Sequence, residues 1–180
     1  MITFHEKTVD VLYEEKTLQA RIAELGAQIT RDYQGKDLTL LCVLKGSIFF
    51  VTDLARAIDL PLTIEFLGAS SYHGGTESSG EVRITTDVST PLKDRHVLVV
   101  EDIIDTGLTM KFLLGNLAAR HPASVKLCSL LAKPSRAKVQ IDIDYTGFVI
   151  DDHFVVGYGL DYEERLRNLP FIGVMKPGAI

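Results

Sequence analysis

At 180 residues and 46% hydrophobic content, the chain carries enough apolar material for one domain with a substantial core. Its 19 Lys and Arg against 24 Asp and Glu give a net charge of -5 and a pI near 5.5, which leaves no broad basic face for nucleic acid. The opening MITFHEKTVD has no basic stretch followed by an apolar one, and no apolar run reaches bilayer length, so a soluble, cytoplasmic protein is expected and a membrane partner is not.

Leu18, Ile22, Leu25 and Ile29 form one helical stripe from about Glu14 to Tyr33. Leu38 to Leu44 (LTLLCVL) is a continuous apolar run, the pattern of a strand covered on both faces, and Ile48 to Ile58 is the helix after it. Between them stand Lys45, Gly46 and Ser47. Gly46 would let a ligand approach the backbone closely, while Ser47 needs no more role than a helix cap. Leu62 to Leu67 (LTIEFL) reads as another strand. The following GASSYHGGTESSGE, residues 68–81, lacks aliphatic anchors, and two readings stand: a solvated hairpin loop, or a lid with Tyr72 as its aromatic handle.

His96 to Thr109 (HVLVVEDIIDTGLT) is the most informative stretch. Val97 to Val100 predicts a buried strand, and Met110, Leu113, Leu114, Leu117 and Ala118 fall on one face of a helix that His121-Pro122 ends. Glu101, Asp102 and Asp105 therefore sit where a parallel strand hands over to a helix, the place where open α/β sheets bind ligands. Thr106, Gly107 and Thr109 offer amides and hydroxyls at the helix start, a cradle for phosphate. Three carboxylates beside a phosphate would repel it. Coordination of Mg²⁺, or hydrogen bonds accepted from sugar hydroxyls, removes the conflict.

Val125 to Leu131 (VKLCSLL) is a further strand, ending near Lys133, which Pro134 biases toward an extended backbone; a strand-end lysine is ordinarily just solvated. Phe148 to Ile150 and Phe154 to Tyr158 complete the apolar segments. Cys42 and Cys128 lie inside apolar runs, as buried free thiols of a reducing compartment do. Alternating strand and helix patterns with near-continuous apolar strands predict an α/β fold with a mostly parallel central sheet flanked by helices.

EDIIDTGLT, from Glu101 to Thr109, resembles the phosphoribosyl pyrophosphate signature of type I phosphoribosyltransferases. VLKGS at Val43 to Ser47, SSY at Ser70 to Tyr72, LLAKPSR at Leu130 to Arg136, and FVVGYGLDYEERLRNLP at Phe154 to Pro170 are similar to the bacterial hypoxanthine phosphoribosyltransferases. The similarity runs from the first helix to the end of the tail. It implies one domain over 1–180, with a lid near 68–81 and a purine-binding hood near 150–180 built by the C-terminal segment with N-terminal residues. The activity implied is Mg²⁺-dependent transfer of the phosphoribosyl group to N9 of hypoxanthine, and of guanine, giving IMP, GMP and pyrophosphate, in a homodimer or homotetramer.

The same resemblance implies residue roles. Asp105, Thr106, Gly107 and Thr109 would hold the 5'-phosphate, and Glu101 and Asp102 the ribose hydroxyls and Mg²⁺. Lys45 and Gly46 would form the pyrophosphate loop, where the family has a non-proline cis peptide, and Arg167 would contact pyrophosphate. Lys133 would donate to the purine O6, Phe154 would stack on the base, and Val155 would offer its backbone to the base edge. Asp161 would carry a second metal on the purine side. Ser71 and Tyr72 would close as a lid, and Asp105 would be the catalytic base. Leu108 departs from relatives that often have a polar residue there, at a position where only the backbone acts.

Two other classes share parts of the pattern. A response-regulator receiver has an acidic pair at a strand end, but its pair comes early, and too little chain follows Asp102 to complete that module. A nucleotide-sensing RNA-binding regulator on the same fold is disfavoured by the acidic balance. A calcium loop fails at Ile103 and Ile104, which stand where ligands are needed.

Overall fold

The structure, a computed structural model, describes residues 9–71 and 82–176. Strand β1 (Val9–Tyr13) leads into helix α1 (Glu15–Asp32), whose buried Leu18, Ile22, Leu25 and Ile29 are the stripe expected from the sequence. There follow β2 (Leu38–Leu44), α2 (Ile48–Ala57), β3 (Leu62–Ser71), β4 (Val82–Thr86), β5 (His96–Ile104), α3 (Leu108–Ala118) and β6 (Ser124–Ala132). A 3-10 turn at Pro134–Arg136 precedes β7 (Tyr145–Val149), β8 (Val155–Val156) and β9 (Ile172–Met175).

Six strands make the main sheet in the order β4-β3-β2-β5-β6-β7, with β3, β2, β5, β6 and β7 parallel and β4 antiparallel to β3. Side chains alternate across a strand, so consecutive residues of β2 enter different cores. Leu38, Leu40 and Cys42, with Leu98 and Val100 of β5, pack among the α1 stripe and Phe50, Val51 and Leu54 of α2. Leu41 and Val43, with Val97 and Val99, pack against Met110, Leu113 and Leu117 of α3. Both faces are covered, which is why these strands read as unbroken apolar runs.

A second sheet, β1-β9-β8, joins the two ends of the described chain: Val9 pairs with Met175, and Val155 with Val174. It stands where the sequence places a hood. Tyr13 stacks on Phe148 with ring centroids 4.2 Å apart, and the Tyr158 hydroxyl donates to the Asp53 carboxylate of α2, so both its margins are tied to the main body.

Two expectations are corrected. The 68–81 stretch is not irregular from its start, because β3 continues to Ser71 and pairs with β4, Gly68 opposite Thr86 and Ser71 opposite Val82. Backbone pairing needs no apolar side chains, so composition hid it. Tyr72 and the rest of the expected lid, together with the Ser71 side chain, lie outside the described residues. Second, β5 does not end at Val100. Its pairing with β6 runs on through Glu101 to Ile104, which places Glu101 and Asp102 within the strand and not after it.

Among the described residues no helix is long and apolar enough to cross a membrane. Cys42 and Cys128 are both free and buried.

Candidate active site

Because β2, β5 and β6 are parallel neighbours, the residues that follow them share one edge of the sheet. Lys45 and Gly46 follow β2, the acids and the Thr106-Gly107 turn close β5, and Lys133 follows β6. The Leu44-Lys45 peptide is cis, as the resemblance implied. Gly46 lies so close to its neighbours that a Cβ there would fall on the Asp102 carboxylate, while a Cβ at Gly159 would fall on the Gly46 carbonyl oxygen. The Lys45 turn, the acidic strand end and the tail loop thus meet at a backbone with no room for a side chain.

Ser47 begins α2, yet its side chain does not cap the helix. Its hydroxyl donates to the Val43 carbonyl at 2.5 Å and meets Cys42 Sγ at 3.2 Å, which fixes the turn from beneath.

Burial pushes the Glu101 carboxyl well above its ordinary range, with the neighbouring Asp102 adding to it, and Oε2 is buried without a hydrogen-bond partner. Burial likewise raises Asp102, to about 6; its hydrogen bond from the Ile103 amide and the Arg167 charge hold it back from rising further. Two adjacent half-buried carboxyls, one of them with an unpartnered buried oxygen, are poised to take a cation or a hydrogen-bond donor. Among the described residues no group of three or more His, Cys, Asp or Glu is arranged to hold a metal. Asp161 does not complete such a set with Glu101 and Asp102. It pairs with Arg167 at 2.8 Å and accepts the Glu164 amide.

The Thr106-Gly107 turn opens a helix, as the sequence suggested. Gly107, at φ 78, is the N-cap of α3, a left-handed position that favours glycine, and a Cβ there would stand 2.8 Å from the Val139 carbonyl. The Lys138 and Val139 amides donate to the Thr106 carbonyl at 3.0 and 3.3 Å, so the 137–141 connection braces the turn from behind. Glu101, Ile103, Asp105, Thr106, Gly107 and Thr109 line a cavity of about 130 Å³ at the helix N-terminus, where amides and the helix dipole favour an anion.

On the far side, Lys133 is only 9% exposed at its side chain, against the ordinary fate of a strand-end lysine, and its ammonium lies 3.7 Å from Asp152. Arg136 reaches Asp152 at 3.6 Å and Asp105 at 3.2 Å, so alternating charges link Lys133 to Asp105. Phe154 is 56% exposed and touches Tyr162 edge-on, with centroids 5.9 Å apart, leaving a ring face open. Val155 is buried in β8 beside it, and Val156 and Tyr158 are core, as expected from the apolar run.

Arg167 is the tail's anchor. It donates to the Gly159 carbonyl at 2.8 Å and pairs with Asp161 and Glu164, while its Nε is buried without a partner. Glu164 also pairs with Lys45 at 2.9 Å; Lys45 and then Arg167 hold its carboxyl below the ordinary glutamate value. Arg136, Asp152 and Glu164 escaped the sequence reading. Arg136 stood inside the quoted LLAKPSR motif, and that was the available signal; nothing in the pattern separated Glu164 from Glu163.

The phosphoribosyl transferase domain family model matches residues 8–163. A hypoxanthine-guanine phosphoribosyltransferase of Mycobacterium avium is 51% identical over 173 residues, 93% of this chain and 85% of that one. The crystal structure of a hypoxanthine phosphoribosyltransferase from Staphylococcus aureus superposes with a TM-score of 0.92 at 48% identity, covering 96% of this chain and 94% of that chain. A structure of the Trypanosoma cruzi hypoxanthine phosphoribosyl transferase, from work on how its C-terminal region affects oligomeric state and activity, is 40% identical over 93% of this chain and 91% of that chain, with a TM-score of 0.89. With the strand-end acids, the glycine-capped Thr106-Gly107 turn and Lys133 on one sheet edge, the chain belongs to the type I phosphoribosyltransferases, among the hypoxanthine-guanine members of that family.

Proposed function

We propose that the chain transfers the 5-phosphoribosyl group of phosphoribosyl pyrophosphate to N9 of hypoxanthine and guanine, releasing pyrophosphate and forming IMP and GMP for purine salvage. The observation that carries this is the Gly46 contact: the Lys45 turn and Asp102 are packed together, so a ligand held by one is within reach of the other.

The 5'-phosphate is assigned to the cavity at Asp105, Thr106, Gly107 and Thr109, and the ribose hydroxyls to Glu101 and Asp102. Pyrophosphate is assigned to Lys45, Gly46 and Arg167, and the base to Lys133, Phe154 and Val155. The exposed Phe154 ring supports stacking, and the buried Lys133 ammonium supports donation to an oxo group. Breaking the bond to pyrophosphate leaves cationic character on the ribosyl carbon and negative charge on the leaving group, so Lys45 and Arg167 lower the barrier by meeting that charge. Asp105 is assigned the proton that leaves the purine ring as N9 attacks, a general-base contribution of about 10² to 10⁴ in rate. Arg136 holds Asp105 from one side.

Mg²⁺ fits the acid pair. The partnerless Glu101 oxygen beside the Asp102 carboxyl suits a cation bound by one or two carboxylates and otherwise by substrate oxygens and water. When bound, it would neutralise the pyrophosphate and favour its departure. Asp161 is kept as a second-metal and purine-side carboxylate, held in reserve by Arg167. A homodimer or homotetramer is proposed from the likeness to the Trypanosoma cruzi protein, and a cytoplasmic location from the two free, buried cysteines.

The test is nucleotide formation from phosphoribosyl pyrophosphate with hypoxanthine, guanine, xanthine and adenine in turn, with and without Mg²⁺, in the parent and in Asp105→Asn. Turnover with the first two, lost on Mg²⁺ removal and reduced by 10² or more in the variant, is expected. No turnover with any purine would refute the activity, and an Asp105→Asn protein at parental rate would remove Asp105 as the base.

A further inference from the structure

Glu164 has no part in the roles above, yet its carboxylate meets both cations assigned to pyrophosphate. One oxygen lies 2.9 Å from Lys45 Nζ and the other 3.4 Å from Arg167 Nη2. A single anion therefore spans the two groups, one oxygen to each, as two oxygens of a phosphate would. All three side chains line the same cavity of about 390 Å³, across from Ser70, Thr85 and Thr86. No helix or strand delivers Glu164 to this point. Its backbone sits at φ 63 between Glu163 and Leu166, at φ 48 and 70 on either side, and its amide is held by Asp161 at 2.9 Å. Such conformations are uncommon for residues other than glycine, so the placement is specified by the surrounding loop.

We propose that Glu164 is an internal substitute for pyrophosphate: it occupies Lys45 and Arg167 in the free enzyme and is displaced by phosphoribosyl pyrophosphate or pyrophosphate, selectively weakening both. The proposal rests on the assignment of Lys45 and Arg167 to pyrophosphate. Each incoming ligand breaks the Glu164 contacts before forming its own, so its net affinity is the difference. A carboxylate left beside a bound polyanion then repels it, which speeds product release. Lys45 and Glu164 are 67% and 65% exposed, so water and salt screen the pair and keep the effect to a few-fold.

Glu164→Gln keeps the size of the side chain and removes its charge. Calorimetric titration of the Mg²⁺ complexes of pyrophosphate and phosphoribosyl pyrophosphate is expected to give dissociation constants about three- to five-fold lower than in the parent. GMP, which has no pyrophosphate, should bind as before, and pyrophosphate should inhibit turnover at correspondingly lower concentration. Glu163→Gln, the same charge change one residue away, should alter none of these. Unchanged or weaker pyrophosphate binding in Glu164→Gln overturns the proposal, as does equal tightening of GMP or an equal effect in Glu163→Gln, either of which is only a net-charge effect. Lys45→Met, run alongside, separates the two levels: it should weaken pyrophosphate. If it does not, the assignment of the subsite itself has failed.

Discussion

Gly46 is the residue on which the most geometry depends. Its α-carbon faces the Asp102 carboxylate with no space for a methyl group, and its carbonyl faces Gly159. Gly46→Ala must therefore move either the acid or the turn. A displacement on the order of 1 Å in a site of this kind costs about 10²-fold in rate. The expected outcome is a fall of that size in kcat/KM for phosphoribosyl pyrophosphate with an unchanged circular dichroism spectrum. A variant of parental activity would show that the close contact is dispensable. At this scale the sequence was eloquent where a residue type is scarce. An Asp-Thr-Gly turn or a glycine after a buried strand has few explanations, whereas Glu164 and Asp152 are charges among charges, and only the folded chain brings them to Lys45 and to Arg136.

At the scale of elements, β3 is fastened to the segment before β5 by a carboxylate. Glu65 is 7% exposed and accepts hydrogen bonds from the Thr90 hydroxyl and from the amide and hydroxyl of Ser89. The Thr90 bond, before the others, pulls its carboxyl below the ordinary value of 4.5. A carboxyl lowered by folding stabilises fully above the unfolded-state value and loses that contribution as pH falls through the folded one. Glu65→Gln should therefore cost about 1–2 kcal/mol near neutrality in urea unfolding, with the gap to the parent closing progressively below pH 4.5. A gap independent of pH would mean that the charge is not what holds the segment. The elements that were legible announced themselves by their apolar pattern, a helical stripe in α1 and α3 and an unbroken run in β2. β4 (VRITT) did not, because it follows a Gly- and Ser-rich tract and is held by backbone pairing to β3. The end of β5 was hidden for a related reason: Glu101 and Asp102 interrupt its apolar run without interrupting its pairing to β6.

Across the whole molecule, the candidate site lies between two sheets of different origin. In the proposed assignment the sugar and phosphate groups fall to the six-stranded sheet, and the base lies between Lys133 at that sheet's edge and Phe154 and Val155 of the three-stranded side. A nucleotide that touches both links them. GMP at a hundred times its dissociation constant should stabilise the fold by about 2.7 kcal/mol, seen as one cooperative transition shifted to higher denaturant. A hood that melted separately at its unliganded midpoint would contradict the assignment of the base to it. The α/β class was readable from strand and helix alternation, and the hood only through family likeness. Pairing between β1 and β9 joins residues more than a hundred positions apart, and no local pattern encodes it.

That long-range pairing also sets an order of assembly. The proposed phosphate cradle uses residues up to α3 and the connection behind it, all of them earlier in the chain than β9. The wall at Val155 is held by Val174, and β9 in turn by Val9. If the base is held as proposed, a chain that stops short of Ile172–Met175 keeps its phosphate residues and lacks the strand that holds its purine side, so competence for transfer waits on the pairing of that last strand with β1.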